Sequence, residues 1–67
     1  MPIITLEGPK LTVEQKRAVV KGFTEVISNV LPHIRKEGFI VQIRENIPEN
    51  VGVGGALLSD IHAGKDN

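Results

Sequence analysis

The residue best placed to do chemistry in this chain is Pro2. Met1 is commonly removed when a small residue follows it, and the chain then begins with a secondary amine. An α-amino group titrates near ~7.7–8.0, and burial or a neighbouring cation lowers that further by disfavouring the ammonium form. A base poised near neutral pH suits proton transfer to and from carbon acids. A retained Met1 would instead leave the Pro2 nitrogen as an amide with no basicity. Other chemistries find less support. There is no cysteine, and neither Ser28 nor Ser59 is read as a triad nucleophile. His33 and His62 lie far apart with no ligand spacing; they read as surface histidines, and no metal is expected. The run Val51-Gly52-Val53-Gly54-Gly55 is superficially like a phosphate-binding loop. It lacks the strand-loop-helix setting and the following lysine and hydroxyl residue, and reads as a turn that needs positive φ.

These residues must be positioned by a short series of elements. Pro2 to Glu7 is β-branched and apolar and stops at Gly8-Pro9, the pattern of a strand closed by turn residues; proline is tolerated at its first position. Thr12 with Gln15 three residues on makes a capping box, and Glu14 suits the first turn. Val19/Val20, Phe23, Val26/Ile27 and Val30/Leu31 then recur at helical spacing, which predicts an amphipathic helix of about five turns ending before Pro32. A polar connection closed by Gly38 leads to a second strand, Phe39 to Glu45. Its Phe39, Val41 and Ile43 share one face, and Ile40, Gln42 and Arg44 the other. Phe23 and Phe39 are expected in the core. Strand, helix and strand make a βαβ unit of the α/β class, with parallel pairing and a right-handed crossover. Residues 1–60 are read as one domain, and 61–67 as a polar tail with nothing to bury.

The chain has 67 residues, so it buries only about 60% of the surface its unfolded form exposes. Disulfides and thiolate metal sites are absent, which leaves association as the staple for a small core. One helix covers one face of a two-stranded sheet, and self-association through the uncovered face is the expected remedy. Eight basic and eight acidic residues give a formal charge of zero, and two phenylalanines are the only aromatics. Nucleic acid is therefore not an expected partner. No apolar run is long enough to cross a membrane, no signal peptide is evident, and a cytoplasmic location is expected.

Taken together, Pro2-Ile3-Ile4-Thr5-Leu6-Glu7-Gly8, the helix opening Glu14-Gln15-Lys16, the strand end Ile43-Arg44-Glu45 and the loop Pro48-Glu49-Asn50-Val51-Gly52-Val53-Gly54-Gly55 resemble the 4-oxalocrotonate tautomerase family, in order and spacing up to about Leu58. The resemblance implies a βαβ protomer with a short C-terminal β-hairpin, assembled as a hexamer. It also implies a cofactor-free site in which the amino-terminal proline is the general base. Two arginines and an aromatic residue usually complete that site.

Carried over by position, Pro2 matches the catalytic proline. Pro9 and Lys10 stand where an arginine ordinarily follows the Glu-Gly turn, in a connection two residues longer. Lys10 supplies a point charge without the bidentate fork of arginine. The second arginine aligns with Ile40, which cannot replace it. Arg44 lies on the same face, ~13 Å along the strand at ~3.3 Å per residue, and is the candidate substitute at a different location. Val51 takes the aromatic position and keeps its apolar character. Pro2 and Lys10 are separated by up to ~26 Å of extended chain, too far for one small-molecule site. If both serve one reaction, they come from different copies.

The leading expectation is a cofactor-independent tautomerase or isomerase of enol or unsaturated 2-oxo acids. Pro2 is its catalytic residue, and Lys10, Arg44 and Val51 bind a small carboxylate substrate. The alternative is a non-catalytic small-molecule-binding or structural oligomer on the same scaffold, motivated by the missing arginines and aromatic residue.

Overall fold

The computed structural model describes residues 1–64; Lys65, Asp66 and Asn67 of the expected polar tail lie outside the described residues. The order is β1 (Ile3–Gly8), α1 (Val13–Val30), a 3-10 turn at Lys36–Gly38, β2 (Ile40–Glu45), a second 3-10 turn at Pro48–Asn50, β3 (Gly52–Val53), β4 (Ala56–Leu57) and α2 (Leu58–His62). β1 and β2 pair in parallel, from Ile3 opposite Ile40 to Gly8 opposite Glu45. This is the βαβ unit that the sequence predicts, and a separate antiparallel pair, β3 with β4, forms the C-terminal hairpin.

The strand limits differ from the sequence reading by one residue, for reasons visible in the backbone bonding. Pro2 has no N–H to give and lies outside β1, yet its carbonyl accepts from the Ile40 N–H at 3.0 Å. At the other end the Gly8 carbonyl accepts from Asn46 at 2.8 Å, so the ladder runs through the expected turn residue. Phe39 stays outside β2 because its N–H closes the 3-10 turn on the Lys36 carbonyl, at 3.2 Å.

α1 begins where its capping box lies. Thr12 Oγ1 accepts from the Gln15 N–H at 3.1 Å, and Gln15 Oε1 accepts from the Thr12 N–H at 2.9 Å. The helix ends at Val30, with the Leu31 N–H still reaching the Ile27 carbonyl at 2.9 Å, ahead of Pro32. The hairpin turn is Gly54-Gly55, at φ +61° and +89°, which is what a two-residue turn of the I′ kind requires. The glycine run is therefore a turn, as its composition implied.

α1 lies over β2, with Val19, Ile27 and Leu31 half-buried on its inner side and Ile4, Leu6, Val41 and Ile43 half-buried on the sheet. Phe39, at 8% exposure, is the one buried hydrophobic residue among those described. Phe23 is not in the core as expected; it is 37% exposed. A helix about 10–12 Å across overhangs a pair of strands set ~4.8 Å apart, so the flanks of its apolar stripe, Val26 at 62% and Val30 at 66%, find no cover within the chain. The chain is long and flat, 51 × 24 × 14 Å, with a radius of gyration of 16.1 Å against about 11 Å for a compact domain of this length.

The capping box is the element most open to a direct check. Thr12→Ala removes the acceptor for the Gln15 N–H and is expected to destabilise the chain by about 1 kcal/mol, read as a lower urea midpoint at fixed protein concentration.

Candidate active site

The two ends of the β1–β2 ladder differ in character. At the first end Pro2 is half-buried, anchored through its carbonyl to Ile40. The register sets Ile3 against Ile40 and, continued by one residue, Pro2 against Phe39. Ile40, aligned with an arginine of the resembled family, thus pairs with another isoleucine. The strands place no charged side chain here.

At the far end Glu7 stands opposite Arg44, and Gly8 opposite Glu45. Pro2 and Glu7 are five strand steps apart, ~16 Å at ~3.3 Å per residue. A single copy therefore does not bring Pro2 together with Arg44 or with Lys10, which lies beyond Gly8. Arg44 and Lys10 are both exposed.

Glu45 is the electrostatic centre of this end. Its carboxylate accepts from the Leu11 N–H at 3.1 Å and pairs with Lys16 Nζ at 3.0 Å. The Leu11 hydrogen bond and then the Lys16 hydrogen bond hold its carboxyl below the ordinary value; partial burial works the other way, and the charges of Lys16 and Lys10 add to the lowering. Lys10, assigned from sequence to a substrate carboxylate, is already within the field of this internal one.

A hollow of about 350 Å³ opens beside this end, lined among others by Glu7, Pro9, Asn46, Val51, Leu58 and His62. Val51 is the sequence-predicted site residue that lines it; Pro2, Lys10 and Arg44 do not. The short helix α2 closes one side, tied down where the Leu58 N–H donates to the Val51 carbonyl at 2.7 Å. His62 reaches the hollow because it lies four residues after Leu58 on α2, so both fall on one helical face. The sequence reading set His62 aside as a surface histidine, and it is exposed. The Leu58-to-His62 spacing was the signal that could have placed it. A larger hollow, about 500 Å³, runs along α1 from Val13 to Glu25 with Lys36 beside it, and none of the candidate residues lines it. Among the described residues no cluster of three or more histidine, cysteine or acidic side chains could hold a metal ion. None of the described helices is long and apolar enough to cross a membrane.

The family description "Tautomerase enzyme" matches residues 2–61. The chain belongs to the tautomerase family. Among solved structures, this tautomerase-family chain is similar to DmpI from Archaeoglobus fulgidus, at 37% identity over 88% of this chain and 100% of that one, with a TM-score of 0.78. It is also similar to the 4-oxalocrotonate tautomerase isozymes from Methylibium petroleiphilum, at 31% identity over 94% and 98% of the two chains, with a TM-score of 0.84. TomN, a 4-oxalocrotonate tautomerase homologue of the tomaymycin biosynthetic pathway, shares the fold at 21% identity and a TM-score of 0.85, over 97% of this chain and 100% of that one. A comparison with curated proteins returns no match.

Glu45 ties the stability of this end to pH. Because the folded chain holds the carboxyl below its ordinary 4.5, the unfolded chain binds more protons over that range. The stabilisation is complete above about pH 4.5 and drains as pH falls through the folded value. Glu45→Gln keeps an acceptor for Leu11 and loses the charge, so its urea midpoint is expected to fall less steeply than that of the unaltered chain between pH 6 and 3. Parallel slopes for the two proteins would show that this carboxylate does not govern the acid limb.

Proposed function

We propose that this tautomerase-family protein is a cofactor-independent isomerase that moves a proton within enol or unsaturated 2-oxo acids in the cytoplasm, with the free Pro2 amine as general base. The observation that carries this reading is the position of Pro2. It stands half-buried at an end of the sheet where the strands offer Ile3 and Ile40 and no charged side chain, with Phe39 just ahead of β2. Apolar surroundings disfavour an ammonium and keep a secondary amine available as a base. In the reaction the neutral nitrogen takes a proton from the substrate's carbon or enol hydroxyl. The electron pair moves through the conjugated system, and the resulting ammonium returns the proton to another carbon. The chain ends the cycle unchanged, and no redox partner is needed.

Charge for the substrate comes from another copy in this reading, since Pro2 and the Lys10 end are separated by the length of the ladder. Lys10 of a neighbouring copy stabilises negative charge developing on the substrate oxygen, as a preorganised cation does in an apolar site. Val51 of that copy supplies an apolar wall, and Arg44, opposite Glu7, is the second positive charge at that end. Assembly, taken here as a hexamer, thus serves the site as well as the core. The exposed Ile3, Val26 and Val30 support it.

Two measurements test this. With loss of Met1 verified by mass spectrometry, Pro2→Ala is expected to slow ketonisation of simple enol acids by ~10²–10⁴-fold. Equal rates would instead favour a binding or structural oligomer on the same scaffold. The assembly itself predicts a melting temperature that rises with protein concentration, whereas a concentration-independent value with a monomer's mass in solution would remove it.

A further inference from the structure

We propose that in the neighbouring copy, whose Lys10 end faces Pro2, the hollow beside Glu7 and Val51 receives one carboxylate of the substrate, that His62 is the side chain that meets it, and that Glu7 turns away a second carboxylate. The inference rests on the isomerase reading and names its substrate class as mono-acids.

At about 350 Å³ the hollow has the size for a small organic acid. Its walls from Pro9, Val51 and Leu58 are apolar. Glu7 and His62 are its two titratable side chains, and among the described residues neither enters an ion pair. An imidazole donates an N–H in either protonation state and carries a full positive charge in one, so it suits a carboxylate oxygen in both. Lys10 and Arg44 do not line this wall; its side-chain N–H donors are His62 and the Asn46 amide, and of these only an imidazole can also carry charge. Glu7 is a carboxylate on the same wall, and a like charge brought beside it is disfavoured. These donors with one opposing carboxylate make a wall for a single acid group and a poor one for a diacid. α2 holds the His62 donor in place through the Leu58-to-Val51 backbone bond and the Ala63 N–H to the Ser59 carbonyl, at 3.1 Å.

The experiment uses the full chain with Met1 absent and three substrates: a mono-acid aryl enol, its methyl ester and a conjugated dienol diacid. His62→Ala is expected to lower kcat/KM for the mono-acid by about 10-fold or more, chiefly through KM, and to lower it less for the ester, which offers no charge. His62→Gln, which keeps an uncharged N–H donor, is expected to recover part of the loss. The unaltered chain should prefer the mono-acid to the diacid, and Glu7→Gln should narrow that preference. Binding of the unreactive saturated mono-acid, followed through the His62 ring resonances in NMR, gives a readout that does not require turnover. Equal losses on acid and ester, no loss on either, or a preference for the diacid would overturn the inference. If those results come with turnover that Pro2→Ala abolishes, the isomerase reading stands and only the role of the hollow fails. Turnover indifferent to Pro2→Ala overturns both.

Discussion

A two-stranded parallel sheet beneath one helix encloses almost nothing, and that shortage governs the rest of the molecule. Phe39 is the one hydrophobic side chain among the described residues that is truly buried. It sits at the entry to β2, where the 3-10 turn at Lys36–Gly38 delivers the chain to the sheet. The remaining apolar side chains of α1 and the sheet face each other loosely or face outward. The consequence is a flat chain that leaves much of its hydrophobic surface exposed. The same geometry separates an end of the ladder where the strands carry no charged side chain from one where they do, so one constraint of packing divides the chemistry of the chain.

The charged end is organised by Glu45. Its carboxylate joins the last residue of β2 to the Leu11 N–H just ahead of the helix and to Lys16 in its first turn. The capping box at Thr12 satisfies the next orphan donors of the same stretch. A connection containing Gly8, Pro9 and Lys10 is thereby tied down at both sides, which fixes where the Lys10 backbone leaves the sheet. Exposed pairs elsewhere, such as Arg17 with Glu14 and Arg35 with Glu37, lie in water and have little of this effect.

What the sequence made legible followed from local rules. The capping box located the start of α1, Pro32 its end, and alternation in Ile40 to Arg44 the two sheet faces. The Gly54-Gly55 turn was legible because only a few residue types accept positive φ twice in succession. Phe23 was misread because helical periodicity shows which side chains want cover and not how wide the covering sheet is. His62 was missed because α2 is five residues long, too short for periodicity to stand out from a polar tail. Pro2 could be singled out, but its neighbours could not. That Ile3 faces Ile40 depends on register, which is a property of two strands together.

The bond from the Ile40 N–H to the Pro2 carbonyl has a consequence for maturation. It uses the carbonyl side of Pro2 and leaves the nitrogen side uninvolved. Met1 is 83% exposed and takes part in no backbone hydrogen bond among the described residues. A chain that keeps Met1 and one that has lost it thus share every backbone hydrogen bond of the fold among the described residues and differ by that methionine, which decides whether the Pro2 nitrogen is an amide or an amine. On the proposed chemistry the methionine acts as a protecting group on the amine, and any amino-terminal purification tag would do the same. A well-folded preparation and a competent one are then separate things, and spectroscopy of the fold cannot tell them apart.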